Sequence, residues 1–584
     1  MVETAERCRD LEGAPRCTME SPAAFFDRLD GRKIRNVYYG ELYLAWHRGT
    51  YTAQAKIKRG VRRAEYALRE AEYLAGLMRL AGKYENRSRE ERVLRKLEEL
   101  WKTLLVQEFH DILPGSSIQR VNEEAREALE LTERESRLLA EQLLAELAGG
   151  EVMSDSRGDA FDSERVLFNS KRVLFNSLSW ERSWKGLQLP SCGYVTLRAE
   201  AGADDVRPQD GVQVESSDAV EEEKIVFANA FYRAEIDGKG CIISLTDSDS
   251  GYEYAKEPLN DWKLYRDVNV DYDAWELGRM YEQAAEELSG GRISRTEREP
   301  DGSLIVTVER RERYFTARQR IILTMDSPRI DFETEIDWRE RHRILKVDFP
   351  TTVYTKEVLE EIQFGYIKRP THKSRRYEQD LYETCHHKYA ALTDGENGFA
   401  VLNDCKYGLS AEDSRLSLTL LRAPVLPDMT ADMGTHRFTY SILPFSGPFA
   451  ASRVTEEAYE LNVEVTASGC ADSGAGRESA GSGGRLASDA AESTFSFFAL
   501  EGGHVVLETC KPAFDRENGV VLRLYESKGC AGAATLKLNG ALDVKRACVC
   551  NMLEEPEREL EIRDGRIQMN FRAFEIKTIM LERE

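Results

Sequence analysis

The stretch "VQEFHDILPGSS", residues 106–117, sets His110 and Asp111 side by side at the end of an apolar, helix-like run, where Pro114 and Gly115 stop the chain. An imidazole next to a carboxylate at a helix end can bind a metal ion or a sugar. A metal-binding histidine needs two or three further N, O or S ligands, and the sequence has no HExxH or HxH spacing. His386 and His387 are neighbours, and neighbours on a strand point to opposite faces, so they do not share one ion. The ordinary alternative for His110 is a helix-terminal histidine stabilised by the helix dipole. A second cluster lies in "GELYLAWHRGTYTAQAKIKRGVRRAEYAL", residues 40–68, where Glu41, Tyr43, Trp46, His47, Arg48 and Tyr51 follow a strand-like run. Aromatic faces cover the C–H surface of a sugar, and carboxylates and arginine bind its hydroxyls. The same residue types also make a polar loop packed on helices. The 11 cysteines include no CxxC, and the closest pair, Cys548 and Cys550, is too tight for a zinc ribbon. Reduced, mostly buried thiols are expected.

These residues depend on the elements that carry them. "IRNVYYGELYLAW", residues 34–46, reads as a buried strand followed by a loop, with Gly40 breaking the pattern. A lone strand is not stable without neighbours, which hints that the chain starts partway through a domain. Residues 54–149 read as three helices. Ala64, Leu68, Ala71, Leu74 and Met78 form one apolar stripe. Leu94, Leu97, Trp101, Leu104 and Leu105 form a second, and Leu129, Leu138, Leu139, Leu143 and Leu147 a third. Short joins make them an antiparallel bundle. From about residue 165 the texture changes to short β-branched or alternating runs such as "SLIVTVERR", "RIDFETEIDW" and "RLSLTLLRA", the pattern of antiparallel β-sandwiches. The Gly/Ser-rich segment 466–494 is expected to be a mobile surface loop. It lacks the strand–helix context of a phosphate loop. "RVLFNSKRVLFNS", residues 165–177, repeats six residues after one spacer and reads as a local duplication without function.

The bulk numbers set the frame. At ~100–200 residues per domain, 584 residues make three or four domains. A net charge of -22 argues against nucleic acid or an anionic membrane surface as partner. The N-terminus shows no signal peptide and no run approaches the ~20 apolar residues of a membrane span. A cytoplasmic location is expected.

"GELYLAWHRGTYTAQAKIKRGVRRAE" and "LWKTLLVQEFHDILPGSSI" resemble glycoside hydrolase family 38, the α-mannosidases. So do "LNDWKLYRDVNVDYDAWEL", "IQFGYIKRPTHKS", "LTLLRAPVLPDMTADMGTHRFTYSILP" and "KPAFDRENGVVLRLYE", in the family's order from about residue 33 to 580. The resemblance implies a multidomain α+β fold. A remnant of the α/β catalytic domain would span 1–50 and a three-helix bundle 51–150. A central β-sandwich domain would follow over 151–450, then C-terminal β structure over 451–584. It implies a retaining, zinc-dependent glycosidase in which His110 is a zinc ligand and Asp111 contacts sugar hydroxyls. The loop carrying Glu41, Tyr43, His47, Arg48 and Tyr51 would line one wall of the substrate pocket. Ala45 stands where the family commonly has a carboxylate, and no residue is assigned as general acid.

The family's remaining zinc ligands and its nucleophile have no counterpart in this sequence, so an N-terminally truncated enzyme is expected. Retaining glycosidases need two carboxyl groups ~5–5.5 Å apart, and zinc held by one protein ligand binds weakly. The isolated chain is therefore expected to be inactive towards α-mannosides. A separate N-terminal catalytic polypeptide is a candidate partner, and the uncovered bundle face should promote oligomers or aggregates. The alternative is a carbohydrate-binding or structural protein derived from the family and lacking catalysis.

Overall fold

The computed structural model describes residues 2–30, 32, 36–149, 153–154, 164–165, 172–197, 217–218, 224–267, 269, 271–468 and 491–583. They form two compact units, Met1–Ala45 and Trp46–Glu584. The first holds two short helices, α1 (Val2–Arg7) and α2 (Pro22–Asp30), neither of which buries a residue. The buried strand expected ahead of a loop within 34–46 is not present among the described residues. Asn36–Trp46 is irregular, and Val37, Tyr38, Tyr39 and Leu42 are exposed. No strand is described within this unit to pair with it, and an unpaired strand leaves its backbone groups to water.

The second unit opens with a tight turn, Arg48–Tyr51, followed by three helices: α3 (Ala55–Leu80), α4 (Arg87–Gln107) and α5 (Gln119–Leu147). The Asn86 side chain accepts from the Arg89 amide at 2.9 Å, capping the first turn of α4. The first apolar stripe is buried along α3. Leu97 and Leu104 of α4 and Leu129, Leu139, Leu143 and Leu147 of α5 close on it, whereas Leu105 and Leu138 face solvent. α3 is buried on a second side as well. Its core is continuous with Leu507, Cys510, Val520 and Leu522 of the C-terminal strands. Two of its buried arginines tie it there. Arg69 Nε donates to the Glu508 carbonyl at 2.8 Å. Arg79 Nη1 donates to the carbonyls of Ala513, Arg516 and Gly519 at 3.0–3.1 Å.

The strands pair antiparallel. A ten-stranded sheet has the long strand Gly434–Ser446 near its middle, between Asn397–Asn403 and Ile330–Trp338. A six-stranded sheet built around Arg343–Pro350 and Arg415–Arg422 faces it. Phe332, Trp338, Tyr440 and Ile442 from the first meet Trp262, Val347, Phe349 and Leu418 from the second in one core, the geometry of a sandwich. A five-stranded sheet runs from Val505 to Arg583.

Another sheet differs from the division drawn at residue 450. Arg172–Asn176 and Gly193–Leu197 pair with Thr466–Ser468 and Ala491–Ser496, across almost 300 residues of chain. The segment expected to be a loop over 466–494 therefore begins and ends in strands, and its residues 469–490 lie outside the described residues. Of the duplicated hexapeptides, the second forms the strand Arg172–Asn176 and most of the first lies outside the described residues. No described helix is long and apolar enough to cross a membrane.

Candidate functional site

α4 ends at Gln107, and the chain turns through Phe109–Gly115 before α5 begins at Gln119. The turn is closed by its own backbone: the Ile112 and Leu113 amides donate to the Phe109 carbonyl, and the Gly115 amide to that of Ile112. It presents His110 to solvent with its side chain 77% exposed, and Asp111 beside it at 50%. His110 Nε2 lies 3.6 Å from Asp111 Oδ2. The imidazole rests on Phe109, with ring centroids 4.1 Å apart. Ser117 Oγ donates to the Asp111 carbonyl at 2.7 Å, holding the main chain behind the carboxylate.

The turn is seated on the segment that precedes α3. Gly115 has φ +79, and a Cβ there would stand 2.7 Å from the Ala53 carbonyl oxygen and 2.8 Å from Gln54. Only glycine fits that backbone and that approach. Lys58, buried on α3, donates from Nζ to the carbonyls of Ala53 (2.6 Å), Leu113 (2.9 Å) and Pro114 (3.3 Å). Burial pulls its ammonium down to about 7, against the attraction of Asp432. Burial likewise pushes the Asp432 carboxyl up to about 6, although it accepts from the Gln54 and Ala55 amides at 2.8 and 2.7 Å.

Asp428 completes the seat. Its Oδ2 accepts from Gln54 Nε2 at 2.8 Å and from Asn122 Nδ2 at 3.0 Å, and Asn122 also donates to the Ser117 carbonyl at 3.2 Å. Burial alone would raise this carboxyl, but the bonds from Asn122, Thr430 and Gln54 hold it below the usual carboxylate value.

The residues expected in the pocket wall divide. Glu41 and Tyr43 belong to the unit Met1–Ala45, where Tyr38 Oη donates to the Glu41 carbonyl at 3.0 Å. His47 is exposed with φ 64, and its amide donates to Glu276 Oε1 at 2.9 Å. Tyr51 is half-buried at the end of the tight turn. Arg48 is 5% exposed. Its guanidinium lies 4.4 Å from the centre of the Tyr382 ring and donates from Nε to the Asp380 carbonyl at 3.0 Å. In this arrangement Arg48 fastens the loop to the β structure. Gly49 lies beneath it, its amide donating to the Trp275 carbonyl at 2.8 Å. The fully buried Arg422 there donates to Asp267 Oδ2 at 2.6 Å and to the Asp273 carbonyl at 2.6 Å.

The structure thus joins His110 and Asp111 to the His47–Tyr51 segment through a shared seat. Sequence reasoning missed that seat: Lys58, Gln54, Asn122, Asp428 and Asp432. The one signal in the sequence is the run "LPDMTADMG", which carries both aspartates. Among the described residues, no group of three or more His, Cys, Asp or Glu side chains is placed to hold a metal. The fit to zinc is that of part of a shell. His110 offers one imidazole open to solvent, with the Asp111 carboxylate 3.6 Å from its Nε2 and also open, which is one ligand of the four that a zinc site needs. A separate cavity of about 260 Å³ between α3, α5 and residues 461–467, lined by Arg62, Arg63, Tyr66, Glu70 and Arg137 among others, contains none of these residues.

Comparison with known proteins follows the same segments. Residues 45–147 match the alpha mannosidase middle domain, 227–430 the glycosyl hydrolases family 38 C-terminal domain, and 504–579 the family 38 C-terminal beta sandwich domain. By these domains the chain belongs to glycosyl hydrolase family 38. It is 31% identical to alpha-mannosidase 2C1 of Homo sapiens over 616 residues, covering 100% of this chain and 54% of that protein. Against alpha-mannosidase G of Dictyostelium discoideum the identity is 30%, covering 99% of this chain and 56% of the relative. The chain spans about half the length of these family members. An alpha-mannosidase structure from Enterococcus faecalis V583 superposes with a TM-score of 0.68 at 15% identity, over 97% of this chain and 72% of that one, a likeness of fold. The family's middle-domain match contains the whole His110 turn and α3 to α5.

Proposed function

We propose that this chain supplies the bundle-side wall of the active site, and the β scaffold behind it, of an α-mannosidase-type glycoside hydrolase acting on α-mannosides in the cytoplasm. The observation that carries the reading is the His110–Asp111 pair, exposed on a turn that a buried lysine and a glycine lock in place. Residues of this kind, held rigidly yet open to solvent, suit ligand binding better than packing.

In this reading His110 would be a ligand to a zinc ion, and the Asp111 carboxylate would accept hydrogen bonds from sugar hydroxyls. When bound, zinc would fix and polarise hydroxyl oxygens of the sugar, orienting it in the site. The remaining ligands and the nucleophile would come from a separate N-terminal polypeptide, and no residue is assigned as general acid. A retaining mechanism needs two carboxyl groups ~5–5.5 Å apart, and Asp111 is assigned to binding. His47 and Tyr51 stand on the segment that shares the seat of the turn and extend the same wall. Arg48 holds that segment down.

The test is release of the chromophore from an aryl α-mannoside, with zinc or cobalt added. The purified chain alone is expected to release none. A co-expressed polypeptide matching the N-terminal half of a family member should restore release, and His110→Ala should abolish it. Release by the chain alone that is lost in His110→Ala would place the nucleophile within this chain and overturn the division of roles. Restored release that is indifferent to His110→Ala would remove His110 from the site.

A further inference from the structure

Lys58 is the point where two segments of the candidate site meet. Its ammonium donates to Ala53, at the end of the segment carrying His47 and Tyr51, and to Leu113 and Pro114, in the turn carrying His110 and Asp111. An ammonium has three N–H donors on one tetrahedral nitrogen, and here three carbonyl oxygens take them. No other side chain does this. A guanidinium spreads its donors across a plane and cannot bring three of them to one point. A methionine of the same length would leave the buried Ala53 carbonyl and the half-buried carbonyls of Leu113 and Pro114 without that partner. The other ties between the segments surround this nitrogen: the close approach of Gly115 to Ala53 and Gln54, and Asp428 bridging Gln54 and Asn122.

We propose that Lys58 is the positioning residue of this site, fixing the His110–Asp111 turn against the Trp46–Gln54 segment and so setting where the imidazole stands. The inference rests on the reading of His110 as a ligand. Lys58 touches neither substrate nor metal in this scheme. It acts through the three carbonyls, so its loss should move His110 while leaving the bundle intact. Residue type bears on this: an arginine would keep the charge but could not bring three donors to one point.

The experiment uses the full chain, with Lys58→Arg and Lys58→Met beside the parent. Amide hydrogen exchange is followed by mass spectrometry. The side-chain resonances of the eight histidines are followed in labelled protein, with His110 assigned by its absence in His110→Asn. In both variants exchange over residues 49–54 and 109–117 should rise at least tenfold. Exchange over the interior of α4, residues 93–104, should stay within twofold of the parent. The His110 imidazole resonance should move while that of His504 stays in place. Lys58→Arg decides if Lys58→Met fails to fold. Retained protection with an unmoved His110 resonance would show that Lys58 only fills space. A uniform rise over α3 to α5, or failure of both variants to fold, would make it a general stability residue. Either result overturns the proposal. The readouts use neither metal nor substrate, so failure of the mannoside assay would not be mistaken for failure here.

Discussion

Gly115→Ala separates two reasons for a glycine. At φ +79 an alanine side chain is strained whatever the space around it, and its Cβ would also stand 2.7 Å from the Ala53 oxygen. The backbone strain costs about 1–2 kcal/mol and the overpacking about 1–3 kcal/mol more, so about 2–5 kcal/mol in all. Gly395→Ala is the control, because Gly395 has φ +98 and nothing within 4 Å of its would-be Cβ. It should lose only the backbone part, about 1–2 kcal/mol. Both variants stiffen the unfolded chain equally, by about 0.4–1 kcal/mol, so their difference reports the close approach alone. Urea unfolding followed by far-UV circular dichroism gives the two stabilities. Amide exchange at residues 109–117 gives the local effect, which should appear in Gly115→Ala and be absent in Gly395→Ala. Equal losses in the two variants, with the His110 turn undisturbed in both, would refute the reasoning that Gly115 seats the turn on Ala53.

Arg422→Met should cost about 3–5 kcal/mol in urea unfolding, because it strips a buried Asp267 of its counter-charge. Adding Asp267→Asn should recover part of that loss, and no recovery would argue that the lost carbonyl contacts dominate. Acid should destabilise the fold through His386 and His436, whose imidazoles burial pulls down to about 3 from an ordinary 6.5. Between pH 6.5 and 3 the unfolded chain binds these protons and the folded chain does not. This stability is therefore present above pH 6.5 and is lost as pH falls, by up to about 1.4 kcal/mol per pH unit for each histidine. Denaturation midpoints measured from pH 7.5 to 5 should show the slope, and His436→Gln should lower it. An unchanged slope in that variant would clear His436 of the effect.

The parts of this fold that were legible in sequence are those specified by neighbours in the chain. The stripe from Ala64 to Met78 marks α3 because period alone tells which residues share a face. Period does not tell what the face meets, which is why Leu105 and Leu138, equally periodic, lie exposed. Likewise "IRNVYYGELYLAW" has the composition of a strand, but a strand is a property of a pair. The candidate site divides along the same line. The turn carrying His110 and Asp111 was legible from a Pro-Gly stop within a dozen positions, and the roles proposed for the pair come from the family resemblance. Their seat was not, since Lys58 finds Leu113 55 positions away and Gln54 finds Asp428 374 positions away. Arg48 shows the limit in another way. An arginine beside aromatic groups binds sugar hydroxyls when it is open to solvent and anchors a loop when it is stacked on a buried tyrosine. The composition is the same in both cases, and only Tyr382, more than 330 residues on, decides between them. Groups that act on a ligand can sit in one short motif, because the ligand brings the rest of the geometry to them. Groups that hold such a motif still must come from elsewhere in the fold, because a turn cannot brace itself against its own backbone.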